Sequence, residues 1–344
     1  MRVLVTGATG FTGSHLARAL AAAGHHVRAL VRQQPRASAN QPLVPDFGAR
    51  TSAGSAGSGP GENLEIVYGD LRDEAAIARA VEGVDLVYNV AALYRQAGLP
   101  RDVYQAVNAT AVGRLVERAA RAGADRVVHC STVGVHGDVK YPPANEETPL
   151  RPGDIYQATK VDGEARAREA AARFGIEVTI VRPSGIYGAG DRRLLKLFRY
   201  ALKRFPILGS GRIYYHLTHI DDLVRGFQLC GELPAAANRT YILAGGEVTT
   251  LNELAALIAE VGGVLPQRVH LPAWPFWLAG AVCEALCAPF GIEPPLYRRR
   301  VDFFTKSRAF DTTRARVELG YAPAVGLRDG IARTLRWYRE HGWV

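Results

Sequence analysis

A glycine-rich turn close to the N-terminus constrains the possible folds of this chain more than any other feature. Residues 3–13, VLVTGATGFTG, set three glycines at three-residue intervals directly after a short apolar run. Gly7 permits a tight turn, Gly10 allows a ligand to approach the backbone, and Gly13 lets the next helix lie close to the strand. Because the free N–H groups at a helix start attract phosphates, the turn predicts a dinucleotide pyrophosphate site.

The pattern after this turn indicates the fold. Over residues 1–185, short runs rich in Val, Ile or Leu alternate with Ala-rich helical stretches, which is typical of βαβ units and a parallel sheet. The predicted strands are Arg2–Thr6, His26–Val31, Leu64–Tyr68, Leu86–Val90, Arg126–Cys130 and Val178–Arg182, and the predicted helices are Gly13–Ala23, Glu74–Val81, Tyr104–Ala122 and Ile155–Phe174. We predict an α/β fold with a Rossmann-type, doubly wound parallel sheet over residues 1–185.

Residues 186–344 are predicted to form mainly a smaller α/β substrate lobe, with the option that some segments return to the first domain. Helices are predicted at Asp191–Phe205, Leu251–Val261 and Leu327–His341. Residues 272–290 are the most apolar segment, but two prolines and Glu284 leave too short a run to span a bilayer. We expect a helix packed on the substrate lobe there, with loose membrane contact as the minority alternative.

Residues 35–63 interrupt the alternation and are rich in Ala, Gly, Ser and Pro. Such a segment cannot bury enough apolar surface to offset the entropy of ordering it. We expect a mobile surface loop between strands, and a tolerated insertion is favoured over a lid.

Charge and cysteine content exclude several classes of protein. The formal net charge is +9, but the arginines are spread along the chain and no nucleic-acid-binding motif occurs, so a nucleic-acid partner is not expected. The four cysteines form no Cys-x-x-Cys pair, which indicates no metal site. The N-terminus has no long apolar signal core, so a cytoplasmic location is expected.

The end of the second strand bears on cofactor choice. An acidic residue there would bind the ribose 2′-hydroxyl of NAD, but the sequence has Arg32 instead. A guanidinium can reach a 2′-phosphate, so NADP is favoured over NAD; if Arg32 only stacks on adenine, NAD stays acceptable. Asp70 follows the third strand, where its carboxylate could accept from the adenine amino group. Ala91 and Ala92 follow the fourth, where small side chains let the central ribose pass.

A tyrosine and a lysine four residues apart suggest the chemistry. In Tyr156-Gln157-Ala158-Thr159-Lys160 the two side chains share one face of a helix. A tyrosine has an ordinary pKa of about 10, too high for a base at neutral pH, and a nearby lysine cation stabilises the phenolate. Thr132, after the fifth strand, could bind a carbonyl or alkoxide oxygen, with Ser131 as support.

Together these motifs resemble the extended short-chain dehydrogenase/reductase superfamily. The resemblance rests on residues 6–13 (TGATGFTG), 69–71 (GDL), 156–160 (YQATK), 182–188 (RPSGIYG), 219–223 (HIDDL) and 318–323 (ELGYAP). It implies a Rossmann-type domain with a small C-terminal substrate lobe, and Thr132, Tyr156 and Lys160 as catalytic residues. It also implies homodimers paired through the helices Tyr104–Ala122 and Ile155–Phe174. The cofactor contacts expected are Gly7, Thr9, Gly10, Phe11, Thr12, Arg32, Asp70, Leu71, Ala91, Ala92, Ser131, Tyr156, Lys160, Pro183 and Ile186.

Two departures from that family bear on the substrate. Nucleotide-sugar epimerases and dehydratases carry an Asn where this chain has Gly185, and an Arg where it has Tyr215. Both changes weaken diphosphate binding, because a phenol cannot replace a bidentate guanidinium. Arg300, in the run 298–300, could instead bind a phosphate, and a solvated basic turn is about equally expected. The expected substrate contacts are Ser131, Tyr187, Tyr215 and Arg300.

Three functions remain open from the sequence. The first is net oxidation or reduction of a secondary alcohol or ketone on a hydrophobic, steroid- or terpenoid-like, or a glycosyl substrate. The motif style is that of 3β-hydroxysteroid dehydrogenases and dihydroflavonol reductases. The second is nucleotide-sugar epimerisation or dehydration with retained cofactor. The third is a non-catalytic dinucleotide sensor, against which intact Tyr156 and Lys160 argue.

Overall fold

The computed structural model describes residues 1–32, 63–94, 99–287, 289, 301 and 304–344. The loop predicted at 35–63, apart from its last residue, and the basic run 298–300 with Arg300 lie outside the described residues.

In the described part of the chain, seven parallel strands form the central sheet. They are β1 (Arg2–Thr6), β2 (His26–Val31), β3 (Leu64–Tyr68), β4 (Leu86–Asn89), β5 (Arg126–Cys130), β6 (Glu177–Pro183) and β10 (Thr240–Leu243). Three strands between β6 and β10 in the chain lie outside this sheet: β7 (Gly185–Tyr187), β8 (Ile207–Leu208) and β9 (Tyr214–His219). The order across the sheet is β10-β6-β5-β4-β1-β2-β3. The predicted α/β, Rossmann-type parallel sheet is confirmed.

Helices cover both faces of this sheet. The helices of the first domain are α1 (Phe11–Ala22), α2 (Glu74–Val81), α3 (Arg101–Gln105), α4 (Ala111–Arg121) and α5 (Ile155–Phe174). One apolar cluster joins α1 to side chains such as Val3 and Val5, and another joins α2, α4 and α5 to Leu4 and Val87. Successive residues of a strand point to opposite faces, and burial of both faces explains why β1 has the consecutive apolar residues Val3, Leu4 and Val5.

One predicted helix, Tyr104–Ala122, is interrupted. A wide π-helical turn spans Ala106–Thr110 between α3 and α4. Asn108 within it accepts from the N–H of Leu93 and donates to the carbonyl of Leu93 and to the hydroxyl of Thr159. These buried bonds tie the helix to its neighbours, and a π turn lets the side chain reach them.

The edge strand β10 comes from the second half of the chain. Thr240 pairs with Ile180, and Leu243 pairs with Pro183. Its residues Tyr241, Ile242 and Leu243 are fully buried. The sheet that begins within residues 1–185 is therefore completed from beyond residue 185.

The remaining elements are α6 (Leu195–Leu202), α7 (Ile220–Glu232), β11 (Val248–Thr250), α8 (Leu251–Val261), β12 (His270–Leu271), α9 (Trp274–Cys287), α10 (Thr313–Leu319) and α11 (Leu327–Glu340). Helices α7 and α10 pack against the central sheet and share its core. Elements α6, β9, α8 and α11 join a separate apolar core, which is called the second lobe here. Strands β11, β9 and β7 form a small sheet, and β12 pairs with β8. Helix α6 starts later than predicted because the Asp191 carboxylate accepts from the N–H groups of Arg193 and Leu194 and holds a turn there.

Helix α9 differs from its prediction. It was expected to pack on the substrate lobe, yet Gly280 is the one buried residue within it. Trp274 and Leu286 are 69% and 66% exposed. No helix in the described ranges has both the length and the apolar character needed to cross a bilayer.

Candidate active site

A cleft of about 820 Å³ lies at the carboxyl ends of the central strands. Residues that end or follow β1, β4, β5 and β6 line it: Thr6, Val90, Cys130 and Pro183. Open α/β sheets bind ligands at this edge, where connections leave the sheet in opposite directions. The second lobe supplies the opposing wall through residues such as Leu217.

The glycine turn forms one end of the cleft and has no room for side chains. Gly7 has a φ of +69°, and a Cβ there would lie 2.7 Å from the Cα of Ala91. A Cβ on Gly13 would lie 2.2 Å from the carbonyl oxygen of Gly7. Among the described residues no side chain caps the start of α1, so its first N–H groups face the cleft beside Thr9, Phe11 and Thr12. This is the arrangement that binds a pyrophosphate.

Arg32, Asp70 and Leu71 line the cleft beyond the turn, together with Arg72. The Asp70 carboxylate accepts from Nε and Nη2 of Arg72 at 3.0 and 2.8 Å. The hydrogen bond from Arg72 lowers the pKa of Asp70. From the sequence, Asp70 is expected to accept a hydrogen bond from an adenine amino group. Arg72 was not expected in the site, because its position there depends on its side chain folding back onto Asp70.

Ala91 and Ala92 line the middle of the cleft, and a buried polar chain fixes this region. The N–H of Ala91 donates to the Thr6 hydroxyl at 3.2 Å, and that hydroxyl donates to Asn89 Oδ1 at 2.7 Å. Asn89 Nδ2 lies 3.1 Å from Nδ1 of His129. The ends of β1, β4 and β5 are thereby held in one register.

Tyr156 and Lys160 occupy the same side of α5 but different depths. Tyr156 lines the cleft, is 9% exposed, and packs edge-to-face against Tyr94 with ring centroids 5.0 Å apart. Lys160 is 1% exposed and lies beneath the cleft lining, where its Nζ donates to the carbonyl oxygen of Cys130 at 2.6 Å. Burial lowers the pKa of Lys160 from its ordinary value, while the nearby charges of Cys130 and Glu164 oppose this shift.

His129 is a further buried group at this point that sequence reasoning missed. Its Nε2 lies 3.4 Å from Nζ of Lys160. Burial, and then the charge of Lys160, hold the pKa of His129 well below its ordinary value. A neutral imidazole therefore lies against the lysine. In the sequence, the one sign that His129 belongs to the site is its position as the second-last residue of β5.

The two hydroxyls after β5 have different partners. Ser131 donates to Glu164 Oε1 at 2.6 Å, and Arg182 Nη2 donates to Glu164 Oε2 at 2.7 Å. Burial alone would raise the pKa of Glu164, but hydrogen bonds and charge from Arg182 hold it below its ordinary value. Thr132 Oγ1 accepts from the N–H of Gly134 at 3.1 Å, and no described residue accepts its proton. Thr132 is thus the hydroxyl able to donate into the cleft.

Pro183 and Ile186, which the sequence assigns to the cofactor, line the cleft, and Ser184 lies between them. The Ser184 hydroxyl is buried and finds no hydrogen-bond partner among the described residues. A Cβ on Gly185 would lie 2.7 Å from Cδ2 of Leu217, so Leu217 occupies the space where an asparagine side chain would begin. The wall at this position is apolar.

Of the two tyrosines expected to contact the substrate, only one lines the cleft in the structure. Tyr215 lines the cleft, whereas Tyr187 does not: it is 2% exposed, and its ring packs edge-to-face against His219 with centroids 5.3 Å apart. The assignment of Tyr187 as a substrate contact is therefore corrected. The guanidinium of Arg308, absent from the sequence-based set, lies 5.8 Å from the centroid of the Tyr215 ring, and Lys306 lines the same end.

Comparison with known proteins identifies the family. Residues 3–244 match the model of the NAD dependent epimerase/dehydratase family. This chain belongs to that family. It is an enzyme of the extended short-chain dehydrogenase/reductase type, and the sensor alternative is set aside.

The names of the proteins similar to this chain refer to different substrates, sterols in some and nucleotide sugars in others. Sterol demethylase protein B of Methylococcus capsulatus is 30% identical over the whole of both chains. The 3 beta-hydroxysteroid dehydrogenase/Delta 5-->4-isomerase of Mycobacterium tuberculosis is 29% identical, over 98% of this chain and 90% of its own. The structure of DesIV, a dTDP-glucose 4,6-dehydratase of Streptomyces venezuelae with NAD bound, is 28% identical, with a TM-score of 0.73, over 100% of this chain and 98% of its own.

The residues of the cleft fit the nicotinamide dinucleotide of the epimerase/dehydratase family. A side chain on Gly7 or Gly13 would fill the space at the turn, and the uncapped start of α1 supplies N–H donors for a pyrophosphate. The buried, unsatisfied hydroxyl of Ser184 offers a hydrogen bond for a polar ligand group at the other end.

Proposed function

We propose that this enzyme uses NADP to oxidise or reduce a secondary alcohol or ketone on a small hydrophobic, steroid- or terpenoid-like molecule. The observation that carries the proposal is the apolar wall around Tyr156. The side chains lining the cleft there are Leu93, Tyr94, Leu99, Val103 and Val107. Leu217 extends the apolar surface into the space beside Gly185. A hydrophobic substrate gains free energy by burial against such a surface.

The chain's own groups handle the proton. The Tyr156 hydroxyl gives its proton to the substrate oxygen during reduction and removes it during oxidation. The ammonium of Lys160, held by the Cys130 carbonyl, stabilises the phenolate of Tyr156. Thr132 donates its free proton to the same substrate oxygen and stabilises the charge that develops on it. The bound nicotinamide supplies or accepts the hydride.

The preference for NADP is supported by charge. Arg32 and Arg72 both line the end of the cleft after β2 and β3, and a guanidinium binds a phosphate bidentately. No acidic residue ends β2 to bind a 2′-hydroxyl. Asp70 is already bound by Arg72, which leaves Arg32 as the group we assign to the 2′-phosphate.

A second candidate function rests on Arg308 and Lys306. These cations line the cleft beside Tyr215, where a nucleotide sugar would place its diphosphate. The similar dTDP-glucose 4,6-dehydratase favours this alternative. In that case hydride would leave and return to one substrate, with no net consumption of cofactor.

We also propose a homodimer, paired through α4 and α5. Both helices carry small residues that are not fully buried, Ala120 on α4 and Ala165 on α5 among them, and a second copy could cover them. Light scattering after gel filtration would give twice the chain mass if this is correct.

The deciding experiment measures reduced cofactor. Purified enzyme is mixed with NADPH and, separately, a 3-ketosteroid, dTDP-glucose or UDP-glucose. Stoichiometric loss of NADPH with the ketosteroid supports the proposal. Conversion of a sugar nucleotide without net change in NADPH or NADP⁺ would contradict it and establish the second candidate. Tyr156→Phe is the matched control in each reaction.

A further inference from the structure

We infer that helix α9 and the loops beside it form a surface that docks on an anionic lipid bilayer. Such docking would determine where the protein lies and does not depend on which substrate the cleft accepts. The exposed apolar side chains are concentrated in one part of the chain. Of the eighteen large hydrophobic residues exposed in the described part of the chain, nine lie within residues 265–286.

The apolar surface is continuous along α9. Trp274, Trp277 and Leu278 are 69%, 46% and 51% exposed, and Val282 and Leu286 continue the surface for two more turns. Glu284 is the one charged residue of this helix. A contiguous run of exposed apolar side chains indicates an interaction site. A helix that is apolar on most sides fits a lipid environment better than a groove that covers one face.

Neighbouring backbone contacts extend the surface and hold it in place. Ile207 donates its N–H to the carbonyl of Val269, and Gln267 Nε2 donates to the carbonyl of Arg204. These contacts place Phe205, which is 49% exposed, beside Val269, which is 52% exposed. The apolar surface therefore spans two chain segments and is not confined to one helix.

The charges around this surface identify the occupant. Within residues 203–214 and 264–287 there are four basic residues, Lys203, Arg204, Arg212 and Arg268, against a single acid, Glu284. All four bases are exposed. Basic side chains beside exposed tryptophan, phenylalanine and leucine are the composition of interfacial membrane contacts, because the bases attract anionic headgroups while the aromatic rings enter the acyl boundary.

The length of α9 indicates that the helix would lie on the bilayer and not cross it. Its 14 residues would extend for only about 21 Å at the helical rise, short of the hydrocarbon thickness of a bilayer. The helix would therefore lie in the plane of the surface. Ala273, which directly precedes the helix, and the carbonyl of Phe304 both lie beside Gly209, and Phe304 is two residues from Lys306, which lines the cleft. Docking would therefore bring this end of the cleft close to the lipid.

The test is sedimentation of the full-length protein with vesicles. We expect binding to phosphatidylcholine vesicles containing phosphatidylglycerol, weaker binding to pure phosphatidylcholine, and loss of the difference at high salt. The double variant Trp277→Glu with Leu278→Glu should bind about tenfold more weakly or worse. Val317→Glu is the matched control, because Val317 is 73% exposed on α10, and it should bind as the unchanged protein does.

Three results would overturn the inference: no binding to either vesicle, unchanged binding by the double variant, or an oligomer of the unchanged protein that the double variant dissociates without any vesicle binding. The last would assign the surface to a second copy. If the double variant does not fold by circular dichroism, Arg268→Glu with Lys203→Glu replaces it. This variant must lose the preference for anionic vesicles, and a retained preference rejects the inference.

Discussion

The hydroxyl of Ser131 donates a 2.6 Å hydrogen bond to Glu164, and this bond gives Ser131 a different role from the adjacent hydroxyl of Thr132. Glu164 is fully buried and also accepts two hydrogen bonds from Arg182. Since the proton of Ser131 is committed to this carboxylate, Thr132 is left to contact the substrate oxygen. Residues that look equivalent in the sequence therefore differ in what they can do.

Replacing each hydroxyl should separate these roles. Thr132→Val should lower kcat by roughly a hundredfold or more, the usual cost of losing one donor to a developing oxyanion. Ser131→Ala should lower kcat by less than tenfold and reduce stability by about 1 kcal/mol, because it removes one internal hydrogen bond. Steady-state kinetics and urea unfolding measure both. Equal losses of kcat in the two variants would contradict the division.

Glu164→Gln should destabilise the protein strongly. It retains the shape of the side chain but leaves the charge of Arg182 buried without a carboxylate, which costs about 3–5 kcal/mol in comparable pairs. Glu117→Gln, which breaks an exposed pair with Arg121, is the control and should cost less than about 1 kcal/mol. Urea unfolding of the two variants tests the difference, and a loss at Glu164 as small as the control would refute it.

Tyr156→Phe should reduce turnover by about a thousandfold, because the acid–base group is removed. Binding of NADPH should change little, since the glycine turn and the start of α1 are untouched. Stopped-flow kinetics and calorimetric titration give the two quantities. Near-full activity in the variant would end the assignment of Tyr156.

Arg32→Asp should shift cofactor preference toward NAD by about tenfold to a hundredfold, the range expected when charge-assisted hydrogen bonds to a phosphate are lost. The ratio of kcat/KM for the two cofactors measures the shift. Arg18→Asp makes the same change at an exposed position outside the cleft and should leave the ratio unaltered. An unchanged ratio in Arg32→Asp would show that another group binds the 2′-phosphate.

Stability should fall as the solution becomes acidic, in part through His129. Its pKa is lowered in the folded protein by burial, so the unfolded chain binds the extra proton first as pH falls. The contribution of His129 to the free energy of unfolding is complete above the pKa of about 6.5 that a histidine has in the unfolded chain. Below that pH the contribution decreases by about 1.4 kcal/mol per pH unit. Unfolding free energies between about pH 7 and pH 5.5 should show a shallower slope for His129→Gln than for the exposed control His26→Gln. Parallel slopes would argue that His129 is not the titrating group.

Most of the strands were predictable because burial on both faces of the sheet requires apolar residues at consecutive positions. The predicted ends of β1, β2, β3 and β5 match the structure. The π turn at Ala106–Thr110 was not predictable, because it depends on where Asn108 finds its partners across the fold.

The candidate site was predictable where a motif fixes local backbone, and not where distant segments meet. The glycine turn and Tyr156 line the cleft as the local pattern implies. Arg308 reaches the cleft only because the second lobe folds over it. Tyr187 was misassigned because neighbouring residues of β7 point to opposite faces, so that Ile186 faces the cleft and Tyr187 the core.

The last strand of the central sheet has a consequence for how the protein can be divided. Because Thr240–Leu243 pairs along Glu177–Pro183, a fragment ending at residue 185 would carry an open hydrogen-bonding edge and a face stripped of Tyr241 and Leu243. Neither half should fold by itself, and grafting a substrate lobe from a relative would require the donor's edge strand as well. The edge strand thus makes the two parts of the chain a single folding unit.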